Sequence, residues 1–160
     1  MKDVVILYTD GGVCYDGNHG GSRIGGTWAY CAVDINDELV ISDKGFIKLE
    51  DRLTTNNHTE FLAAIMALEA MDAGWSGTLA SDSKITLGRL FEGHNTKNLP
   101  EEWIERAEKA LERLGVVTPQ HLDGHPTKEH LRTGKGKRGN PVSKWNKVCD
   151  DLCNEAKNNE

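Results

Sequence analysis

Four acidic residues stand at positions where a carboxylate could meet a ligand. Asp10 ends a short apolar run and precedes two glycines, and Asp82 ends another apolar run. Glu60 lies in the first turn of a predicted helix, and Asp150 lies beside the apolar face of the final predicted helix. Because hard cations such as Mg²⁺ prefer oxygen ligands, several carboxylates that converge on one place could hold such an ion.

Each of these acids also has an interpretation without chemistry. Asp10 could belong to an Asp-Gly turn, and Asp82 could cap the helix that follows it. Glu60 could form a capping box with Asn57, and Asp150 could be an exposed helix charge. The set is more informative than any member, since a pair of divalent ions can activate a water and stabilise the leaving oxygen in phosphodiester hydrolysis.

The elements that must position these acids alternate between strands and helices. The strand patterns cover residues 4–8, 27–35, 39–49, 78–81 and 116–122. The helical patterns cover residues 57–71, 85–91 and 99–114, and a last helix opens at Pro141. This order, βββαβααβα, predicts an α/β fold in which a five-stranded mixed sheet is flanked by helices, with residues 1–160 in a single domain.

Glycine-rich and polar stretches separate the predicted elements. Thr9–Gly12 is typical of a turn after the first strand, and Tyr15–Gly26 and Asp123–Asn140 are typical of loops. In open α/β sheets, ligands gather at the carboxyl ends of the strands. If the strands before Asp10 and Asp82 are parallel neighbours, their carboxylates meet at that edge of the sheet.

The net charge of −6 hides an asymmetry along the chain. The segment from Pro126 to Cys149, here called the basic segment, has seven Lys and Arg residues and one Glu, which gives it a charge of +6 and leaves −12 for the remainder. An acidic body repels a polyanion unless cations intervene, whereas the basic segment can hold phosphate directly. The alternative interpretation is a solvated, mobile loop without a partner.

Composition also bears on location and on the cysteines. No run of eighteen apolar residues occurs, so the sequence predicts no membrane span. The N-terminus lacks the features of a cleavable signal peptide, and we expect a cytoplasmic location. Cys149 and Cys153 recur at helical spacing among apolar neighbours, which favours buried thiols, and the sequence has no CxxC pair that would suggest a zinc site.

Five short motifs, in an order that covers nearly the whole chain, resemble those of the type 1 ribonucleases H. They are Tyr8–Gly12 (YTDGG), Thr55–Ala64 (TNNHTEFLAA), Ser81–Ser83 (SDS), Gly124–Pro126 (GHP) and Asn146-x-x-x-Asp150. The resemblance implies a ribonuclease H-like fold and a metal-dependent endonuclease that cuts the RNA strand of an RNA–DNA hybrid by two-metal-ion catalysis. The basic segment is more similar to phage-encoded members than to cellular ones.

The resemblance also implies roles at the reaction centre. Asp10, Glu60, Asp82 and Asp150 would hold two Mg²⁺ ions, with Mn²⁺ as a substitute, and Asp10 would bridge both ions. His125 would aid proton transfer or product release, which suits a side chain that titrates near neutrality.

Substrate contacts follow from the same resemblance. Asn18 and Thr55 match positions that hold the DNA-strand phosphate or the backbone nearby. Asn56 and Asn57 match residues that contact bases and sugars in the minor groove. Such contacts fit the physics of a hybrid, which is recognised by its shape, its phosphates and the 2′-OH rather than by base sequence.

Two departures from the family's pattern concern substrate binding. Many relatives carry a basic helix and loop in the middle of the chain, but Glu92–Pro100 is short and barely charged. We therefore expect the basic segment to grip the hybrid instead, through Lys135, Lys137 and Arg138. Lys84 stands where relatives often have glutamine, and it is a further predicted substrate contact.

Two other functions stay open at this point. A DNA-directed nuclease or strand-transfer enzyme of the same architecture would act on DNA, whereas the Asn56-Asn57 pair and His125 favour the hybrid. A module that binds nucleic acid without cutting it would be expected to have lost a carboxylate, and all four are present. The size of the chain suggests a monomer.

Overall fold

The structure, a computed structural model, describes residues 3–15, 23–48 and 55–158. Its strands are β1 (Val4–Tyr15), β2 (Arg23–Asp34), β3 (Leu39–Lys48), β4 (Gly77–Ser81) and β5 (Val117–His121). They form one sheet in the order β3-β2-β1-β4-β5. β1 and β3 both pair with β2 in antiparallel fashion, whereas β4 runs parallel to both β1 and β5. The predicted five-stranded mixed sheet is thereby confirmed.

Helices cover both faces of this sheet and bury two separate cores. The helices are α1 (Asn56–Glu69), α2 (Lys84–Phe91), α3 (Glu101–Arg113), α4 (Lys128–Thr133) and α5 (Lys144–Asn158). The larger core contains residues of α1 and α3, and the smaller one contains residues of α5. Leu7 belongs to the larger core and its neighbour Tyr8 to the smaller one, because successive strand residues point to opposite faces. β1 is therefore buried on both sides, as its apolar run predicts.

The first strand is longer than the sequence pattern predicts. Thr9–Gly12 is not a turn: β1 continues through it to Tyr15, with Asp10 paired to Ala29 and Gly11 to Trp28 of β2. The predicted loop at Tyr15–Gly26 is likewise shorter, since β2 already begins at Arg23. Gly11 accommodates a helix packed onto the strand, and Gly12 accommodates the Thr27 side chain of β2. A local sequence pattern does not distinguish this use of glycine from a turn.

The predicted loop Asp123–Asn140 contains a short helix, α4, so the element order has one helix more than predicted. Thr127 and His130 form a capping box at its start, and Gly134 ends it in the left-handed conformation at φ 82°. The last helix begins at Lys144 rather than at Pro141. Within the described part of the chain, no helix is long and apolar enough to cross a membrane.

Candidate active site

Three of the four predicted carboxylates meet at one point. Asp10, Glu60 and Asp82 each offer an oxygen atom that lies within 4.8 Å of the others, and this is a geometry that could hold a metal ion. Asp10 and Glu60 are buried and Asp82 is half-buried. They come from β1, α1 and the end of β4, so that segments far apart in the sequence supply one cluster.

The parallel pairing of β1 and β4 places two of these acids side by side. Tyr8 pairs with Ala80, and Asp10 and Asp82 each stand two residues beyond that pair. The prediction that both carboxylates meet at the carboxyl edge of parallel neighbours is therefore correct. A Cβ atom on Gly124 would lie 2.6 Å from Oδ2 of Asp82, so the absence of a side chain there lets the loop after β5 pass beside this carboxylate.

A close contact between β1 and α1 brings in the third acid. A Cβ atom on Gly11 would lie 2.5 Å from the backbone nitrogen of Glu60 and 2.7 Å from the carbonyl oxygen of Thr59. Only glycine allows the helix backbone to approach the strand so closely. The helix begins at Asn56 and is capped by Thr55, whose hydroxyl accepts the backbone N–H of His58. Asn57 is therefore not the cap, and Glu60 forms no capping box with it.

Asp150 lines the same cleft but stands outside the cluster of three. The carboxylate cleft, with a volume of about 670 Å³, is bordered by Asp10, Glu60, Asp82, Asp150 and His125. Two thiols of α5 donate hydrogen bonds to carbonyl groups of β1. Cys149 donates to the carbonyl of Tyr8 at 3.4 Å, and Cys153 donates to that of Asp10 at 3.6 Å. All four cysteines are buried, which confirms the prediction for the two on α5.

The electrostatics of the cluster favour a bound cation or proton. Burial, together with the charges of Asp82 and Asp150, raises the pKa of Asp10 to about 7. Burial and the charges of Asp10 and Asp82 raise the pKa of Glu60 well above its ordinary value. Oε2 of Glu60 is buried and accepts no hydrogen bond from the described residues. An unsatisfied carboxylate oxygen beside two further acids fits a divalent ion bound by oxygen ligands.

Asn146 is a residue of the cleft that was not among the predicted site residues. It is buried and lines the cleft one helical turn before Asp150. Burial raises the pKa of Asp82, and a hydrogen bond with the Asn146 side chain opposes that shift. The spacing of four residues between Asn146 and Asp150 is the sequence signal that could have identified it. Lys147 also lines the cleft and forms an ion pair with Asp151 at 3.0 Å.

His125 lines the carboxylate cleft. Its backbone is left-handed, with φ 50°, a conformation uncommon for a residue other than glycine. Its charge, when present, lowers the pKa of Asp82, although burial of that carboxyl has the larger and opposite effect. His125 and the acids therefore border the same cleft.

The predicted substrate contacts are only partly gathered around the cleft. Asn56 is exposed and lines it, whereas Asn57 is exposed at the next position of α1. Asn18 lies outside the described residues. Lys84 is exposed in the first turn of α2 and, like Asn57, does not belong to the lining that the structure describes.

Thr55 is held by a buried histidine. Its hydroxyl lies 2.7 Å from Nδ1 of His58, and Nε2 of that ring lies 2.8 Å from the carbonyl oxygen of Asn98. Because a carbonyl oxygen can only accept, Nε2 carries the proton and, in the neutral ring, Nδ1 accepts from Thr55. This chain of hydrogen bonds ties the start of α1 to the loop before α3.

Two of the three predicted basic contacts line a cleft. Lys137 and Arg138 line a second cleft, while Lys135 forms an isolated bridge with Pro141 and is exposed. This second cleft shares Asp82 with the carboxylate cleft.

Comparison with known proteins agrees with this geometry. A family model described as RNase H matches residues 2–158. The ribonuclease H of Chlorobium limicola is 32% identical and aligns over 99% of this chain and 99% of its own length. The ribonuclease H of Syntrophus aciditrophicus is 35% identical over 95% of this chain and 79% of its own length.

Solved structures share the same fold. RNase H1 from the halophilic archaeon Halobacterium salinarum superposes with a TM-score of 0.63 at 20% identity, covering 98% of both chains. LC11-RNase H1 in complex with an RNA/DNA hybrid superposes with a TM-score of 0.63 at 22% identity, covering 96% of both chains.

Proposed function

Since the chain belongs to the RNase H family, as a match to residues 2–158 shows, we propose that its carboxylate cleft hydrolyses the RNA strand of an RNA–DNA hybrid. The protein is a nuclease, and its family and acidic cluster together support the use of a divalent metal ion. The observation that carries the proposal is the convergence of Asp10, Glu60 and Asp82 around a buried carboxylate oxygen that has no hydrogen-bond partner among the described residues.

The metal content that we propose is two Mg²⁺ ions, which Mn²⁺ can replace. Asp10, Glu60 and Asp82 would hold them, and Asp150, which lines the same cleft, would complete the set. When bound, the ions supply activation of a water and stabilisation of the leaving oxygen. They also neutralise the repulsion between buried carboxylates and the phosphates of the substrate.

The other residues of the cleft bind, orient or move protons. Asn146 holds the Asp82 carboxyl by a hydrogen bond, which limits the orientations open to it. His125, which lines the cleft, would give a proton to the leaving oxygen of the RNA or help the product to depart. Its position on a loop rather than in the sheet suits a group that must act and then withdraw.

The proposed substrate contacts distinguish the DNA strand of the hybrid from its RNA strand. Asn56, which lines the cleft, and Asn57 would contact bases and sugars in the minor groove. Thr55 and Asn18 would hold the DNA-strand backbone. The 2′-OH distinguishes the RNA strand from DNA and would direct cutting to it.

The decisive experiment is digestion of a labelled RNA–DNA hybrid with Mg²⁺. We expect Asp10→Asn to reduce turnover by at least about a thousandfold, which corresponds to roughly 4 kcal/mol of lost transition-state stabilisation. Asp151→Asn is the matched control, because Asp151 is exposed and lies outside the carboxylate cleft. Full activity of Asp10→Asn in Mg²⁺ would remove the basis of the assignment.

Matched duplex DNA tests the remaining alternative, a DNA-directed nuclease or strand-transfer enzyme of the same fold. Cleavage of the duplex at a rate equal to that of the hybrid would favour that alternative.

We further propose that the protein is a cytoplasmic monomer. We also propose a single domain, since one sheet carries all the strands that the structure describes. Light scattering of the purified protein measures the oligomeric state.

A further inference from the structure

We propose that the second cleft binds a backbone phosphate of the RNA strand that is being cut, next to the scissile phosphate. This basic cleft has a volume of about 520 Å³. Its polar lining consists of His121, His125, Thr127, His130, Lys137 and Arg138, together with two acids. The proposal rests on the proposed function, because it takes the RNA strand to be the one that reaches the carboxylates.

The two clefts are continuous, and this relates the basic cleft to the strand that reaches the carboxylates. Asp82 and His125 line both the carboxylate cleft and the basic cleft. A strand with its scissile phosphate at the carboxylates can therefore continue past Asp82 and His125 into the basic cleft. The opposite, DNA strand lies across the width of the hybrid and does not share that path.

The chemistry of the lining suits a phosphate diester. Lys137 supplies a compact positive charge, and Arg138 supplies a planar set of donors that matches the oxygens of a phosphate. Neutralisation of a phosphate by such cations releases counterions from the nucleic acid, which gives binding a dependence on salt. The histidines beside them add further ring nitrogens that can donate to the same anion when they carry a proton.

The two acids of the basic cleft do not oppose this assignment. Asp82 belongs to the cluster that is proposed to hold metal. Asp123 is buried, and its carboxylate is already engaged: it accepts the N–H of Arg138 at 2.7 Å, the N–H of Asn140 at 3.2 Å and the side-chain amide of Asn140 at 2.9 Å. Desolvation by itself raises the pKa of Asp123, but these donors together hold it below its ordinary value.

Further hydrogen bonds fix the loop that carries Lys137 and Arg138. The N–H of Asp123 donates to the carbonyl of Pro141 at 2.9 Å, and Gly136 donates to the carbonyl of Asn140 at 2.9 Å. The tip of the loop is therefore tied to the end of β5, close to the carboxylates. A preformed loop loses less conformational entropy on binding than a mobile one, which favours a specific phosphate site over diffuse attraction.

A binding experiment can separate the basic cleft from general attraction. The Asp10→Asn protein, which does not cut, is titrated with hybrids that carry one neutral methylphosphonate linkage at successive positions of either strand. We expect one linkage in the RNA strand, adjacent to the cut, to weaken binding about fivefold to tenfold at low salt. In proteins that also carry Lys137→Ala or Arg138→Ala, that penalty should disappear. In these variants the slope of log K against log salt should also fall in magnitude, by about 0.7–0.9 for each phosphate that is no longer neutralised.

Lys109→Ala is the matched control, because Lys109 is exposed on α3 and lines neither cleft. It should leave both the penalty and the salt slope unchanged. The proposal fails if Lys137→Ala binds as Lys109→Ala does, if the RNA-strand penalty persists in the variants, or if the penalty that they remove lies in the DNA strand. Cleavage of the unmodified hybrid by the wild-type protein is measured in parallel. Absence of that cleavage rejects the proposed function itself. If the hybrid is cleaved but the penalty does not depend on Lys137 or Arg138, only the proposed phosphate site in the basic cleft is rejected.

Discussion

Single residues in this site are placed at an electrostatic cost that only a ligand can offset. Asp10 is 9% exposed and Glu60 is 7% exposed, and each faces other carboxyl groups. Charged groups in such surroundings are unfavourable, so they either take up protons or bind cations. The raised pKa of Asp10 expresses this cost, and it makes stability without metal sensitive to pH.

The pH dependence of folding without metal is a test at the level of one residue. The pKa of Asp10 is about 7 in the folded protein against 3.8 for the ordinary group, so the folded state binds the proton more tightly. The stabilisation by that proton is complete below pH 3.8 and is lost as the pH rises through about 7. In EDTA, wild type should therefore lose on the order of 2 kcal/mol relative to Asp10→Asn between pH 5 and pH 8.

Urea unfolding at the two pH values measures this difference. Asp151→Asn serves as the control, because it removes an exposed charge while the four carboxylates of the cleft stay. Parallel pH profiles for wild type and Asp10→Asn would show that the carboxyl is not destabilised by burial.

At the scale of elements, the close approach of α1 to β1 brings the carboxylates of Asp10 and Glu60 together. The strand passes the start of the helix at Gly11, where no side chain separates it from the backbone of Thr59 and Glu60. α5 makes the corresponding approach on the other face, where the thiols of Cys149 and Cys153 donate to carbonyls of β1. The relative positions of the carboxylates on β1, α1 and α5 therefore depend on how closely the two helices pack on β1.

Gly11→Ala tests that dependence. The added Cβ would lie 2.5 Å from backbone atoms of α1, so the helix must move away from the strand and carry Glu60 with it. Overpacking of this kind costs typically about 1–3 kcal/mol. Because a shift of the order of 1 Å at a reacting centre can cost roughly a hundredfold in rate, we expect kcat to fall by about that factor.

Thermal unfolding and hybrid cleavage are measured together for this variant. Gly74→Ala is the comparison, since Gly74 has φ +84° and open space around it. That change should lower stability through backbone strain while the cleavage rate stays as in wild type. A normal rate for Gly11→Ala in a folded protein would show that the contact does not set the position of Glu60.

The whole molecule combines an acidic body with a basic segment, and we propose that the two bind different partners. The carboxylate cleft is proposed to bind metal ions, and Lys137 and Arg138 line the adjacent basic cleft that is proposed to bind phosphate. An enzyme arranged in this way should be stabilised by the same metal that it uses, because an ion bound only by the folded chain shifts the unfolding equilibrium.

The melting temperature should therefore rise with Mg²⁺. At a metal concentration of about 100 times Kd, linkage gives roughly 2.7 kcal/mol of added stability, or about 5–10 °C in a domain of this size. Glu60→Gln should lose most of that rise, and Asp151→Asn should keep it. An equal rise in wild type and Glu60→Gln would show that Mg²⁺ stabilises the protein at some other place.

The sequence by itself determined much of the architecture and the residues of the site. Apolar runs and helical periodicity predict all five strands and the four longer helices, because these patterns record which faces are buried. Five motifs, taken in order, predict the family, and family comparison confirms it. The four carboxylates are recognisable from their places after apolar runs and on helix faces, but their roles stay predictions.

Only the tertiary structure decided how these residues meet. The glycines after Asp10 match a turn pattern, and the structure shows instead a strand that a helix approaches closely. The placement of Lys137 and Arg138 beside Asp82, and the hydrogen bonds of Asp123 with Arg138 and Asn140, join segments that are apart in the sequence. A local pattern reports the preferences of neighbouring residues, whereas a site is made by distances between residues that the chain brings together from far apart.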